Sequence, residues 1–171
     1  MRSGQSRLET VALAGLAKFY GSCDVVLSPS PATDGRLASI GIAPERTARW
    51  DRGVDVERFS PVHRTPGFLP RGFNVLYAGR LTSENGIWLL ADAFLAARRR
   101  EPRLHLVLAS GGPEEDELRA RLGDAATFLG WLDGDALSKP YASADLFMFA
   151  SQTDTFGQVV LEAQASGLPV V

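Results

Sequence analysis

Phe73-Asn-Val-Leu-Tyr-Ala78 is followed by Gly79-Arg-Leu-Thr-Ser-Glu-Asn-Gly86, then by Ile87 to Arg100, then by Leu104-His-Leu-Val-Leu-Ala109. The first and last of these are short, nearly continuous apolar runs, which reads as two strands buried on both faces. Between them, Ile87 to Arg100 has the length and spacing of a helix. Its basic end, Arg98-Arg-Arg100, suits the negative pole of the helix dipole. A strand, a glycine-bounded loop, a helix and a second strand make one βαβ unit, and its crossover should be right-handed.

The pattern repeats outward from there. Pro113 to Leu122 reads as a helix that opens on proline and the acids Glu114, Glu115 and Asp116. Thr127 to Gly130 reads as a short strand, and Asp135 to Ser143 as a helix that Pro140 could kink. Leu146 to Ala150 is an apolar strand, Gly157 to Ser166 a helix stopped by Gly167, and Pro169 to Val171 the start of another strand. Upstream, Leu8 to Tyr20 and Pro31 to Gly41 have helical spacing, while Asp24 to Ser28 and Thr47 to Trp50 read as strands. Asp51 to Gly72 contains Pro61, Pro66 and Pro70 and reads as a linker. The expectation is an α/β chain with a parallel sheet and helices on both faces. Its expected parts are residues 1–50, a linker at 51–72, and a sheet domain at 73–171.

Bulk properties exclude several classes. At 45% hydrophobic and 22% charged over 171 residues, the chain can bury a core and is not a disordered segment. A formal net charge of -2 points away from nucleic acid and from anionic membranes as main partners. Cys23 is the one cysteine, so no internal disulfide can form, and a cytoplasmic setting fits. No secretory h-region follows the start, and no apolar run approaches the ~20 residues needed to span a bilayer. Membrane association is possible but not indicated.

Ligands of parallel sheets bind beyond the C-terminal ends of the strands. That rule selects three loops: Gly79 to Gly86, Ser110 to Glu114 and Ser151 to Gly157. In the first, Arg80 could bind a phosphate through paired hydrogen bonds, or could pair with an acid such as Glu84. In the second, Gly111 and Gly112 allow a backbone to approach a ligand closely, or simply make a turn. In the third, Asp154 precedes a helix that contains Glu162, and Gly157 opens that helix, so its first N–H groups face the loop cavity. Asp154 could accept from sugar hydroxyls and Glu162 from the two hydroxyls of a ribose. Asp154 or Thr155 could equally cap the helix, with Glu162 a solvated helix residue. Glu162 lies within Val159-Val-Leu-Glu-Ala163, an apolar setting in which its carboxylate needs a partner. His63 and His105 read as structural. No metal-ligand cluster and no P-loop is present, and no metal or other cofactor is expected.

The ordered motifs are Gly53-Val-Asp-Val-Glu-Arg-Phe-Ser-Pro61, Tyr77-Ala-Gly-Arg-Leu81, Gly111-Gly-Pro-Glu114, Phe128-Leu-Gly-Trp-Leu132, Tyr141-Ala-Ser-Ala-Asp145, Thr153 to Ala163, and Ala165-Ser-Gly-Leu-Pro169. In this order the chain closely resembles glycosyltransferase family 4 from about Asp24 to Val171. The resemblance implies a partial GT-B fold built on a Rossmann-like sheet. It also implies retaining transfer of a hexose from a UDP- or GDP-sugar to an acceptor hydroxyl, usually without a metal. The acceptor is unknown. By position, Arg80 would bind the donor diphosphate and Asp154 the transferred sugar; these two are the expected catalytic residues. Glu162 would hold the ribose. Gly79, Gly111, Gly112, Phe156, Gly157, Gln158 and Val159 would line the sugar and phosphate pocket, and Phe128 and Trp131 would border the nucleobase.

Two departures stand out. The family usually carries a second diphosphate cation, a lysine, where this chain has Asn85. By analogy with loss of one oxyanion donor, this would cost ~2.7–4 kcal/mol of transition-state stabilisation. The chain is also expected to be truncated at both ends, with residues 1–50 a remnant of the acceptor domain and 73–171 an incomplete donor domain. A second reading is therefore a nucleotide-sugar-binding remnant without turnover.

Overall fold

The computed structural model describes residues 2–50, 53–151 and 156–171. The chain divides into two units, residues 1–53 and 54–171. The first unit contains helix α1 (Arg2–Gly21), strand β1 (Val26–Ser28), helix α2 (Pro31–Ser39) and strand β2 (Thr47–Arg49). Ser30 caps α2 by accepting from the Thr33 N–H, and Pro31 takes the first turn, where its missing N–H costs nothing. β1 and β2 pair in parallel, with α2 as the crossover, around a small core of Val26, Leu37 and Ile42. No helix among the described residues is long and apolar enough to cross a membrane.

The second unit holds strands β3 (Phe73–Ala78), β4 (Leu104–Ala109), β5 (Ala126–Phe128) and β6 (Leu146–Phe147). Its helices are α3 (Ile87–Arg98), α4 (Glu115–Leu122), α5 (Gly134–Ser143) and α6 (Gln158–Ala165). The strands form one parallel sheet in the order β5-β4-β3-β6. Val170 continues it through a parallel bridge to Phe147, so the last apolar residues do join the sheet as their sequence suggests.

Alternation along the strands divides the core into two layers. Val75, Tyr77, Leu106 and Leu108 point to one face and pack with Ile87, Leu90, Phe94, Leu118 and Leu122 of α3 and α4. Leu76, Ala78, Val107 and Ala109 point to the other and pack with Tyr141 and Ala163 of α5 and α6. Leu76, Leu106, Val107 and Leu108 are fully buried. Each such side chain contributes ~1.5–3 kcal/mol of transfer free energy, which explains runs without polar interruption.

Some boundaries move. β5 ends at Phe128, so Trp131 lies beyond the strand and is 69% exposed. β6 is shorter than the apolar run Leu146 to Ala150, although Met148 N–H still donates to the Leu76 carbonyl and Phe149 N–H to that of Val171. α5 runs through Pro140 without ending, and the buried proline ring packs within the unit. The stretch read as a linker belongs to the second unit from Val54 onward. Asp55 accepts the N–H groups of Glu57 and Arg58, and its carbonyl that of Phe59. This turn delivers Phe59, 6% exposed, into the core beside Tyr141 and Phe147.

Candidate functional site

The chain runs outward from β3 through β4 to β5, then crosses back to β6 on the other side of β3. The loops leaving β3 and β6 therefore diverge, opening a crevice where the strand order reverses. A small cavity of about 40 Å³ lies there, lined by Tyr77, Ala78, Gly79, Asn85, Phe149, Ser151 and Val159. Larger hollows exist elsewhere, one of about 310 Å³ at Asp34, Ile42 and Arg49 and one of about 340 Å³ at Arg64, Arg71 and Asn74. Neither contains a candidate catalytic or substrate-binding residue named from the sequence, and neither lies at the C-terminal ends of the second sheet's strands. Topology, not volume, selects the crevice.

The first loop is pinned by one carbonyl. The Arg80 oxygen accepts from Tyr77 Oη at 3.1 Å, Thr82 N at 2.9 Å and Asn85 Nδ2 at 3.0 Å. These bonds hold the backbone while the Arg80 side chain stays exposed, and no acid among the described residues pairs with it. The pairing with Glu84 is thus not formed. Asn85 turns its amide back onto the loop and does not supply a cation.

The second loop is packed against the first. Leu81 N–H donates to the Gly111 carbonyl at 3.2 Å, and Ser83 Oγ donates to Glu114 Oε1 at 2.7 Å. A Cβ on Gly112 would lie 2.4 Å from the Leu81 carbonyl oxygen, and one on Gly111 would lie 2.6 Å from Trp131 Nε1. The glycines let this loop pack against the backbone of the Arg80 loop and under the exposed indole. Phe128 is already engaged, with the Arg119 guanidinium 4.2 Å from its ring centre.

On the third side, Gly157 at φ 69 leads into α6, and Phe156, Gly157, Gln158 and Val159 form its half-buried entry. Val159 reaches the cavity wall. Asp154 lies outside the described residues. Glu162, one turn further along, is half-buried and finds the partner its setting demands, since Tyr141 Oη donates to Glu162 Oε2 at 3.0 Å. Burial raises the Glu162 pKa above its ordinary 4.5, opposed by the bonds from Tyr141 and Gln158 and by the charge of Arg58. The Tyr141 phenol is pushed up by burial first, then by the neighbouring carboxylate, so it remains a donor.

The raised pKa has a consequence for stability. From pH 4.5 up to its folded value, the native carboxyl holds its proton while the unfolded one has lost it. Stability attributable to this group therefore falls as pH rises through that window. Denaturation of a Glu162→Gln variant at pH 4 and pH 7 should show the variant gaining on the parent toward neutral pH. A constant gap would contradict a raised pKa.

Three residues that shape the site were not singled out for it in the sequence: Tyr77, Phe149 and Tyr141. Tyr141 was detectable in principle, because a glutamate in an apolar setting requires a donor and α5 carries a tyrosine. His105 bonds to Thr127 Oγ1 at 2.8 Å and His63 to the Glu57 carbonyl at 2.7 Å, which accounts for both as structural residues.

Known proteins resemble this chain in sequence and in fold. The chain is 38% identical over 165 residues to a GDP-mannose-dependent alpha-mannosyltransferase of Mycobacterium tuberculosis, covering 94% of this chain and 42% of that protein. It is 35% identical over 162 residues to a sulfoquinovosyl transferase of Arabidopsis thaliana, covering 90% of this chain and 31% of that one. It thus spans well under half the length of these relatives. The fold matches Anabaena HepE in complex with UDP and glucose, with a TM-score of 0.71 at 23% identity over 86% of this chain and 44% of that one. The family model for glycosyl transferases group 1 matches residues 72–171, more than half of the chain, and the chain belongs to that family.

Proposed function

We propose that the chain is the donor-binding part of a retaining hexosyltransferase, which moves a hexose from a UDP- or GDP-sugar to an acceptor hydroxyl. The observation that carries this is the convergence at the switch point, where the pinned Arg80 loop, through Gly79 and Asn85, and the start of α6, through Val159, line one crevice, with the glycine loop under Trp131 packed on the Arg80 loop. Relatives that use GDP-mannose support a nucleotide-sugar donor. In this reading residues 1–50 come from the acceptor domain, 51–72 connect the two domains, and 73–171 hold the donor in a cytoplasmic enzyme.

The chemistry follows from charge. Breaking the bond between sugar and diphosphate leaves negative charge on the leaving group. Arg80 and the positive pole of α6 stabilise it, and this set requires no metal. By its place in the motif Asp154 takes the role of contacting the transferred sugar, Glu162 accepts from the ribose, and Trp131 and Phe128 border the base. A second reading is a binding remnant without turnover. It is favoured by Asn85, whose amide is committed to the Arg80 carbonyl and adds no second cation.

Titrating the folded chain with UDP, GDP, UDP-glucose and GDP-mannose by calorimetry tests both readings. Saturable binding of one nucleotide family is expected. Release of free nucleotide from the bound sugar conjugate would mark turnover, and binding without release would support the remnant. A folded chain that binds none of the four would sink the donor-site reading.

A further inference from the structure

Glu162 draws partners from beyond its own helix. Its carboxylate is half-buried on α6, and three groups face it: Tyr141 from α5, Gln158 one turn earlier on α6, and Arg58 from the turn before β3. Arg58 is shared, lying 3.6 Å from Asp135 Oδ1 and partly exposed. Tyr141 is different. Its ring is fully buried, stacked on Phe147 at 5.5 Å and 16°, and met edge-on by Phe59 at 5.3 Å and 83°. A ring clamped on two sides cannot swing, so its O–H points at Glu162 Oε2 with or without a ligand.

We propose that Tyr141 is the positioning residue that makes Glu162 selective for ribose hydroxyls, an inference that rests on the donor-site reading above. By donating to Oε2, the phenol stops the carboxylate from rotating, and the lone pairs that Tyr141 and Gln158 do not take accept from the ribose. An oriented, half-buried acceptor discriminates strongly, because a ligand lacking the hydroxyl leaves it unpaired. The three sequence motifs then act as one device. The turn at Asp55 delivers Phe59, Phe59 clamps Tyr141, and Tyr141 aims Glu162.

The test compares the nucleoside diphosphate that binds, UDP or GDP, with its 2′-deoxy counterpart, using the full chain and Tyr141→Phe. The parent should prefer the ribose form by about tenfold or more, the value of one hydrogen bond to a charged group. Tyr141→Phe should keep the deoxy affinity and lose most of that preference. Equal weakening of both ligands, or an unchanged preference, would overturn the proposal, since a merely structural tyrosine would not separate them. If Tyr141→Phe does not fold, Phe59→Leu serves instead. It keeps the hydroxyl but loosens the clamp, and an intermediate preference is expected; full parental preference would overturn the proposal. A parent that binds neither nucleotide defeats the donor-site reading itself and this proposal with it. A parent that binds both forms equally leaves the donor site standing and overturns this proposal alone.

Discussion

Replacing Arg80 with alanine is expected to weaken binding of the nucleoside diphosphate by about 10- to 100-fold while leaving the melting temperature unchanged. Hydrogen bonds to a charged group are worth ~1.5–3 kcal/mol, and a guanidinium can make two to a diphosphate. The fold has no stake in the side chain. Arg80 is exposed, no acid among the described residues pairs with it, and the three bonds it contributes to holding the loop all end on its carbonyl, which alanine retains. Arg80→Lys should recover only part of the loss, since an ammonium keeps the charge but not the fork. Calorimetry with UDP or GDP, paired with thermal denaturation, reads both quantities. A variant that binds like the parent would remove Arg80 from the site.

Gly86→Ala should have the largest effect on stability, about 3 kcal/mol. Gly86 stands at φ 71, between a one-turn 3₁₀ helix and α3. An L side chain there costs roughly 1–2 kcal/mol in backbone strain. Its Cβ would also lie 2.3 Å from the Ala150 carbonyl oxygen, a backbone atom beyond β6 that cannot move alone. Forced overpacking adds ~1–3 kcal/mol. For a chain of this size the sum lowers the melting point by roughly 6–12 °C. Because the collision joins the loops after β3 and β6, nucleotide binding should fall with it. Gly15→Ala, in α1 with nothing within 4 Å of the added Cβ, is the control and should be neutral or slightly stabilising. Equal melting points for the two variants would contradict this packing of the loops.

The two variants probe parts of the molecule that differ in how legible they were. The loop around Arg80 could be located from residues 73–109 alone, because a strand pattern feeding a glycine-bounded loop and a helix defines a strand end. The boundaries of β5 and β6 could not. Their apolar runs continue past the strand ends: Leu129, Met148 and Phe149 still donate backbone bonds to Leu108, Leu76 and Val171, while Met148 packs on the first layer and Leu129 and Phe149 on the second. Asn85 shows the same limit. The sequence reveals the absence of a lysine, but not that the amide would turn back and brace the Arg80 carbonyl.

What the amino-acid order determined by itself was the alternation of strands and helices, burial on both strand faces, and the three loops at the strand ends. These rest on periods of two and 3.6 residues and on turn chemistry, all of which act within a few positions along the chain. What only the tertiary structure decided was which loops meet and which side chains complete them. Strand order put β6 beside β3 and so created the crevice. It also brought Tyr141 onto Glu162, 21 residues away, and Phe59 onto Tyr141. Such contacts depend on how layers stack across a sheet, and no local period encodes them.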